Sequence, residues 1–408
     1  MSRSYLLLAA TALSVAGSAA AQTPGTEVPA AQVAPSITVI GPRLDESERR
    51  LRECIARGCP PNEEIDATLA HAEAQFVAGD YRDARATVRS GVARNRRFAR
   101  IAPEPVADLY RADARIAAYL GFTDKARQGM MASEGVLRDA FGDADARSIA
   151  GRIATADAWL SQRRFQAALQ AYIAAERLAK RSGNARLEGL ALLRRASLDA
   201  QLSIARSGDG RPDSLERLLA RREPELAMFV DAARVLDARI QLRQGNTDAM
   251  ETIIAAARQG GATEPVLLYM PTIVLSATGD RVVDRLSGRP AAPLPSARPA
   301  LLKVAVEDNW ADFGFWVAPD GRVREPEMLR AGPKLSNDWP RLVMASMAGR
   351  RYAPTGEPAD APGVYRVERY SMTSDYSTVG GGRIPMRSAE RKLVRLDLTL
   401  PPKTVAAR

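Results

Sequence analysis

AGDYRDA (Ala78–Ala84), LGFTDKA (Leu120–Ala126) and RRFQAA (Arg163–Ala168) decide the fold of this chain. Their last residues, Ala84, Ala126 and Ala168, lie 42 residues apart twice running. A weaker copy, GNTDAM, runs from Gly245 to Met250, and Gly245 follows Gly79 by 166 residues, close to four such periods. The missing copy falls near 203–210, where ARSGDGRPDS reads as an expanded loop. Each unit has the same local logic. A helix ends at Gly79, Gly121 or Gly245, where glycine accepts a left-handed turn, and a small alanine early in the next helix lets two backbones approach. A bulky aromatic, Tyr81 or Phe165, fills the wedge before that alanine.

The surrounding segment, 47–262, is rich in Ala, Arg, Leu and Gln and poor in Pro outside short breaks. Its apolar residues recur at helical spacing. Ile65, Leu69, Ala72 and Phe76 fall at i, i+4, i+7 and i+11, one face of a helix. His71 lies off that stripe and reads as a surface or groove-lining residue.

These features resemble the tetratricopeptide (TPR) repeat family: paired antiparallel helices, a glycine after the first and a small residue early in the second. The resemblance covers about 200 residues. The period is longer than the usual 34, and the Trp and Pro signature positions are absent. The resemblance implies stacked hairpins that bury a shared core and leave a concave surface for peptides or protein partners. The alternatives are an irregular helical solenoid, or a groove filled by the chain's own terminal segments.

Outward from the repeats, the first 21 residues read as a cleavable secretory signal peptide. Arg3 supplies the positive start, Leu6 to Gly17 the apolar stretch, and Ala19-Ala20-Ala21 the small residues before Gln22. That apolar run is shorter than the roughly 20 residues a bilayer core needs. No later run is long enough to span: Val266 to Ala277 is short and contains Pro271. The expected mature chain is soluble and exported to the periplasm of a Gram-negative envelope. Residues 22–46 read as a flexible linker, rich in Pro, Ala, Thr and Val up to about residue 43.

Of the 408 residues, 46% are hydrophobic and 26% charged, which excludes a disordered polyampholyte and a multi-span membrane protein. Lys and Arg number 58 against 48 Asp and Glu, a net +10, and only six of the 58 are Lys. Export argues against nucleic acid as a partner. The arginine excess reads first as a solvated surface of mixed sign, and as the alternative an attraction to anionic lipid, lipopolysaccharide or cell-wall polymer. Two Cys and one His exclude zinc clusters and most histidine-based acid–base chemistry. In an oxidising compartment Cys54 and Cys59 are expected to form a disulfide that pins a short helix, Glu46 to Arg57, to the first repeat helix.

From 263 the composition changes. TEPVLLYMPTIVLS is β-prone, GRPAAPLPSARP (Gly288 to Pro299) is Pro-rich, and 263–300 reads as an extended linker. Residues 301–408 switch to strand chemistry. Lys303 to Val306 and Asp312 to Val317 are short strands, and Ala318-Pro319-Asp320-Gly321 is a turn returning through Val323 to Arg330. Asp338 caps a helix from Trp339 to about Gly349, presenting Leu342, Val343, Ser346 and Met347 on one face. RRYAP (Arg350 to Pro354), a strand Tyr365 to Ser374, a turn at Gly380-Gly381-Gly382 and a strand Arg391 to Leu400 follow.

This order looks like the C-terminal domain of TonB, the energy transducer of Gram-negative envelopes. The carrying residues are Phe313, Phe315, Val317, Pro319, Asp320, Gly321, Val323, Leu329, Tyr352 and Pro354. The match implies a small α+β unit that docks outer-membrane transporters when a partner segment joins its sheet edge. The cleavable leader and short Pro-rich stretch depart from TonB, so force transmission is not carried over.

Gly380-Gly381-Gly382 precedes Arg383-Ile384-Pro385 and makes no phosphate loop, and no nucleophile elbow, H-E-x-x-H helix or calcium loop occurs. Arg350-Arg351-Tyr352 reads as an anion site or, preferably, as cations closing a helix C-terminus with Tyr352 on the sheet. The expectation is a mainly α protein, a TPR-like helical solenoid followed by a small TonB-like α+β domain. It has no catalytic residue, cofactor or metal, and acts as a non-enzymatic periplasmic adaptor for protein partners. An accessory of TonB-dependent transport at the outer-membrane receptors is the alternative, and a cell-wall enzyme a distant third.

Overall fold

The glycine turns are where the repeat units place them. Gly79, Gly121 and Gly245 have φ of 101°, 84° and 96°, each ending a helix in the left-handed region. The third unit keeps that geometry without glycine: Arg163, 42 residues after Gly121, has φ 59°. Ala84, Ala126 and Ala168 are all buried.

The computed structural model describes residues 44–205, 211–246, 248–259, 265–275, 280–283, 309–333, 335, 339–354, 358–377, 386–387 and 391–399. The leader, the Gly288–Pro299 stretch, Lys303 to Val306, Asp338, Gly380–Gly382 and most of the loop that replaces the fourth repeat copy lie outside them. Among the described residues no helix is long and apolar enough to cross a membrane.

The chain is mainly helical with a small C-terminal β-sheet region. Helix α1 (Leu44–Arg57) leads into five hairpins: α2 (Pro61–Ala78) with α3 (Tyr81–Asn95), α4 (Pro103–Tyr119) with α5 (Thr123–Phe141), α6 (Ala146–Ser161) with α7 (Phe165–Arg181), α8 (Ala185–Ala205) with α9 (Asp213–Leu219), and α10 (Ala227–Arg243) with α11 (Ala249–Gln259). Each helix packs on the next, and first helices also touch across hairpins, as α2 on α4 and α8 on α10. Apolar side chains fill the wedges. Tyr81 and Tyr172 are fully buried, and Phe165 is half-buried on the cluster around Ile149 and Tyr172.

Cys54 and Cys59 are at disulfide distance, Cα–Cα 5.3 Å, with Leu51 and Ala67 packed beside them. Gly58 turns the chain between them at φ 65°. His71 is not on the surface, as its place off the apolar stripe implied. Helix α1 covers it to 6% exposure, and its Nδ1 shares a 3.0 Å hydrogen bond with Ser47 Oγ.

The 263–300 stretch, read above as a linker, contains short strands. These are β1 (Leu267–Tyr269), β2 (Thr272–Val274) and β3 (Arg281–Val283), the last two forming a hairpin. Then come β4 (Trp310–Val317), β5 (Val323–Ala331), α12 (Trp339–Ala348), β6 (Arg351–Tyr352), β7 (Val364–Thr373), β8 (Tyr376–Ser377), β9 (Met386–Arg387) and β10 (Lys392–Asp397). The main sheet has four antiparallel strands in the order β10-β7-β4-β5. Strand β1 joins this region by pairing with β6.

The turn motif and RRYAP meet in space. Gly321 has φ 77°, and the Tyr352 N–H donates to its carbonyl at 2.8 Å. A Cβ on Gly321 would strike the Tyr352 carbonyl, so the close crossing requires glycine. Asp320 accepts from the Arg322 N–H at 3.0 Å and is exposed, while Pro319 is buried and Val323 and Pro354 are half-buried. Phe313, Phe315, Val317 and Tyr352 form one core with Trp339, Leu342, Val343 and Met347 of α12. Arg350 is no helix-end cation open to anions. It is fully buried, pairs with Glu368 at 2.9 Å, and lies 5.2 Å from the Phe315 ring centre.

Candidate interaction surface

Strand alternation sends one set of side chains to each face of a sheet. On β4, Ala311, Phe313, Phe315 and Val317 face α12. Trp310 joins a different core, with Tyr81, Val88, Ile116, Tyr119 and Leu120 of the first two hairpins. On β7, Tyr370 and Met372 belong to the α12 side, whereas Arg369 and Ser371 reach Tyr81 and Tyr119. The sheet is therefore a middle layer. One face carries α12, and the other lies against the turns at Gly79 and Gly121.

Arg369 is the centre of that contact. It is fully buried and donates to both carboxylate oxygens of Asp312 (2.6 and 3.0 Å), to the Tyr81 hydroxyl (2.8 Å) and to the carbonyls of Phe76 (3.2 Å) and Val77 (2.9 Å). Its guanidinium sits 3.9 Å from the Trp310 ring centre. Both carbonyls belong to the last turn of α2, where helix carbonyls lack the usual i+4 partner, and the Gly79 N–H also donates to that of Phe76 at 3.1 Å. Burial works against the charge on Arg369, but hydrogen bonding to Asp312 and the field of Tyr81 raise its pKa above the usual guanidinium value. Burial also raises the hydroxyls of Tyr81 and Tyr119, so both stay protonated, and the Tyr81 hydroxyl accepts from Arg369 and, at 3.2 Å, from the Tyr119 hydroxyl. The Tyr119 hydroxyl bonds Ser371. The Tyr376 N–H donates to the Gly121 carbonyl at 2.8 Å, and Tyr376 stacks on Phe122 with ring centres 4.9 Å apart.

Next to this contact, α2, α3 and α4 enclose a groove of about 570 Å³. Leu69, Phe76, Val88, Ala112 and Ile116 line it, and Leu396 of β10 closes one side. Glu73, Asp108, Arg111 and Arg115 also border it. Burial and the like charge of Arg115 hold Arg111 below the usual guanidinium value. The groove lies along the Ile65–Leu69–Ala72–Phe76 stripe, and the chain's own β10 forms part of its wall. A second cavity, about 800 Å³, opens among α7, α8 and α9, with Arg195, Asp199 and Arg217 in its lining.

The far edge of the sheet is β5, which pairs only with β4 among the described residues. Glu325 has φ 48° and Pro326 has no N–H to offer, so the first half of this edge is blunted. Beyond it, Met328 and Leu329 are 49% and 40% exposed.

Sequence reasoning located the glycine and alanine positions and the motif residues of the module, but not Trp310, Asp312, Arg369 and Ser371 as a joint. A signal was present: WADFGFWV (Trp310–Val317) carries large apolar residues in both alternating sets, Trp310 and Trp316 on one side and Phe313, Phe315 and Val317 on the other, as a strand buried on two faces does, with Asp312 the one charge among them. Among the described residues, Cys54, Cys59 and Glu63 are the one group of possible metal-ligand atoms within 4.8 Å of one another, and the two cysteines are already at disulfide distance.

No family model matches the chain, and no curated protein matches it. Among solved structures, BtubC (BKLC) from P. vanneervenii aligns with 57% of this chain and 97% of its own, at 14% identity and a TM-score of 0.42. The apo form of RapI aligns with 53% of this chain and 77% of its own, at 12% identity and a TM-score of 0.35.

Proposed function

We propose that this chain is a non-enzymatic periplasmic adaptor, a TPR-like helical solenoid fused to a TonB-like α+β module. Its groove between α2 and α4 takes an apolar segment of a protein partner. The carrying observation is that groove, about 570 Å³, lined by half-buried Leu69 and Phe76 of the apolar stripe and bordered by charges of both signs. Apolar anchors in a concave helical surface with polar groups at the rim are how helical repeats hold peptides. The free β5 edge, with Met328 and Leu329 exposed, supports a second contact by strand addition, the mode by which an accessory of outer-membrane transport engages receptors.

Affinity capture from envelope extract of the source organism, with the full chain as bait, tests both. Ala112→Arg fills the groove and is expected to lose the groove partner, while Met328→Asp with Leu329→Asp is expected to lose an edge partner only. Outer-membrane receptors lost with the edge variant favour the transport role. Capture unchanged by both variants refutes both contacts, and turnover of purified peptidoglycan by the chain refutes the non-enzymatic reading.

A further inference from the structure

The end of α3 and the turn after it carry a charge pattern that the groove does not use. From Arg89 to Ile101 the chain has five arginines and no acidic residue. Arg94 is committed, donating to Glu64. Arg89, Arg96, Arg97 and Arg100 are exposed and have no ion-pair partner among the described residues, and Arg97 sits 4.7 Å from the ring centre of the adjacent Phe98. Several arginines elsewhere in the repeats are paired, as Arg85 with Asp113 (3.0 Å) and Arg152 with Glu134 (3.0 Å), whereas here four exposed ones fall within twelve residues.

Ile101, at 74%, is the most exposed of the large hydrophobic residues among those described. Backbone bonds fix its position. The 3-10 turn Arg96–Phe98 is followed by N–H donation from Ile101 and Ala102 to the Phe98 carbonyl at 3.0 and 2.8 Å, and Ala102 is buried. The turn therefore holds an aliphatic tip outward, next in sequence to Arg100 and within five residues of Arg96 and Arg97, all exposed.

We propose that this turn, Arg96–Ile101 with Arg89, is a peripheral contact for an anionic phospholipid bilayer. A soluble polyanion needs only the cations. A bilayer interface takes both parts, headgroup phosphates at the guanidiniums and Ile101 at the acyl boundary. The proposal is independent of the groove and edge contacts.

Vesicle co-sedimentation of the full chain tests it, with phosphatidylglycerol/phosphatidylcholine vesicles against phosphatidylcholine alone. The apolar Leu6–Gly17 stretch acts on both vesicle types, so the readout is the ratio between them. The expected result is at least a tenfold preference for anionic vesicles that vanishes in 0.5 M NaCl. Each neutralised arginine lowers partitioning about fivefold, so Arg96→Gln/Arg97→Gln/Arg100→Gln erases the preference. Ile101→Ser weakens binding several-fold while keeping the salt dependence. All four sites are exposed, and unchanged thermal melting shows that the variants fold. No preference, or a preference retained by the triple variant, overturns the proposal. Full binding by Ile101→Ser overturns it in favour of a purely anionic ligand.

Discussion

Replacing Arg369 by methionine removes five hydrogen bonds, two to Asp312 on the neighbouring strand and three that join the sheet to the α2–α3 turn. Charged hydrogen bonds of about 1.5–3 kcal/mol each would sum to far more than any joint contributes, because the guanidinium also regains hydration on unfolding. The relevant cost is that of leaving a buried charge without its partner, about 3–5 kcal/mol. Arg330 also pairs with Asp312 and donates to the Val77 carbonyl at 3.2 Å, so the expected loss lies near the lower end, about 3 kcal/mol. The roughly 300 described residues imply an unfolding entropy near 0.6 kcal/mol per kelvin. The melting temperature of Arg369→Met should thus fall by about 5 °C. Urea titration followed by circular dichroism measures the loss directly. A cycle with Asp312→Asn should show the double variant less impaired than the sum of the singles, by about 2 kcal/mol. A loss below about 1 kcal/mol, or strictly additive singles, would refute the joint as a desolvated ion pair.

Three further outcomes are expected. Gly245→Ala meets open space and costs only the left-handed backbone, about 1 kcal/mol, whereas Gly121→Ala also strikes the Ser374 carbonyl and should cost about 2–4 kcal/mol; equal urea midpoints would count against the close approach at Gly121. Burial lowers the pKa of His71 below 6.5, with Glu48 opposing and Arg52 adding to the shift, so the neutral ring is the folded form. Its contribution to stability is complete above pH 6.5 and lost as pH falls through the folded value. Urea midpoints between pH 7 and 5 should decline less for His71→Gln, and parallel profiles would show that the histidine does not titrate against α1. Replacing Cys54 and Cys59 together by serine opens a loop of sequence separation 5 and should cost about 2 kcal/mol, with mass spectrometry of the untreated chain showing no free thiol beforehand.

The repeat was legible because its constraints are local. A left-handed residue at a helix end and a small residue at a helix crossing leave marks at fixed spacing, and Gly79, Gly121, Ala84, Ala126 and Ala168 carry them. Arg163 shows the limit: the backbone keeps its shape where the side chain no longer advertises it. The helix face Leu342, Val343, Ser346 and Met347 was equally readable, since it answers to one period. His71 was misread because a second helix, α1, arrives on the side of α2 that the apolar stripe leaves open. Arg350 was misread because a polar residue after a helix looks like a cap, and nothing local announces Glu368 18 residues later. The Arg369 joint spans nearly 300 residues, from Phe76 and Tyr81 to β7, and no period connects them.

The position of β10 binds the two proposed contacts together. Leu396 lines the groove beside Phe76 and Tyr119, and Val394 packs on the same core. The adjacent strand β7 carries Arg369, which holds the Phe76 and Val77 carbonyls at the end of α2. A ligand in the groove therefore touches the strand layer as well as the helices. Removing 301–408 would strip away one groove wall and expose Tyr81, Tyr119 and the end of α2 together. Loss of a partner on such a truncation cannot be assigned to the module itself. Ala112→Arg alters only the floor of the groove, and Met328→Asp with Leu329→Asp alters only an edge that is already exposed, so these point changes separate the two surfaces where a deletion merges them.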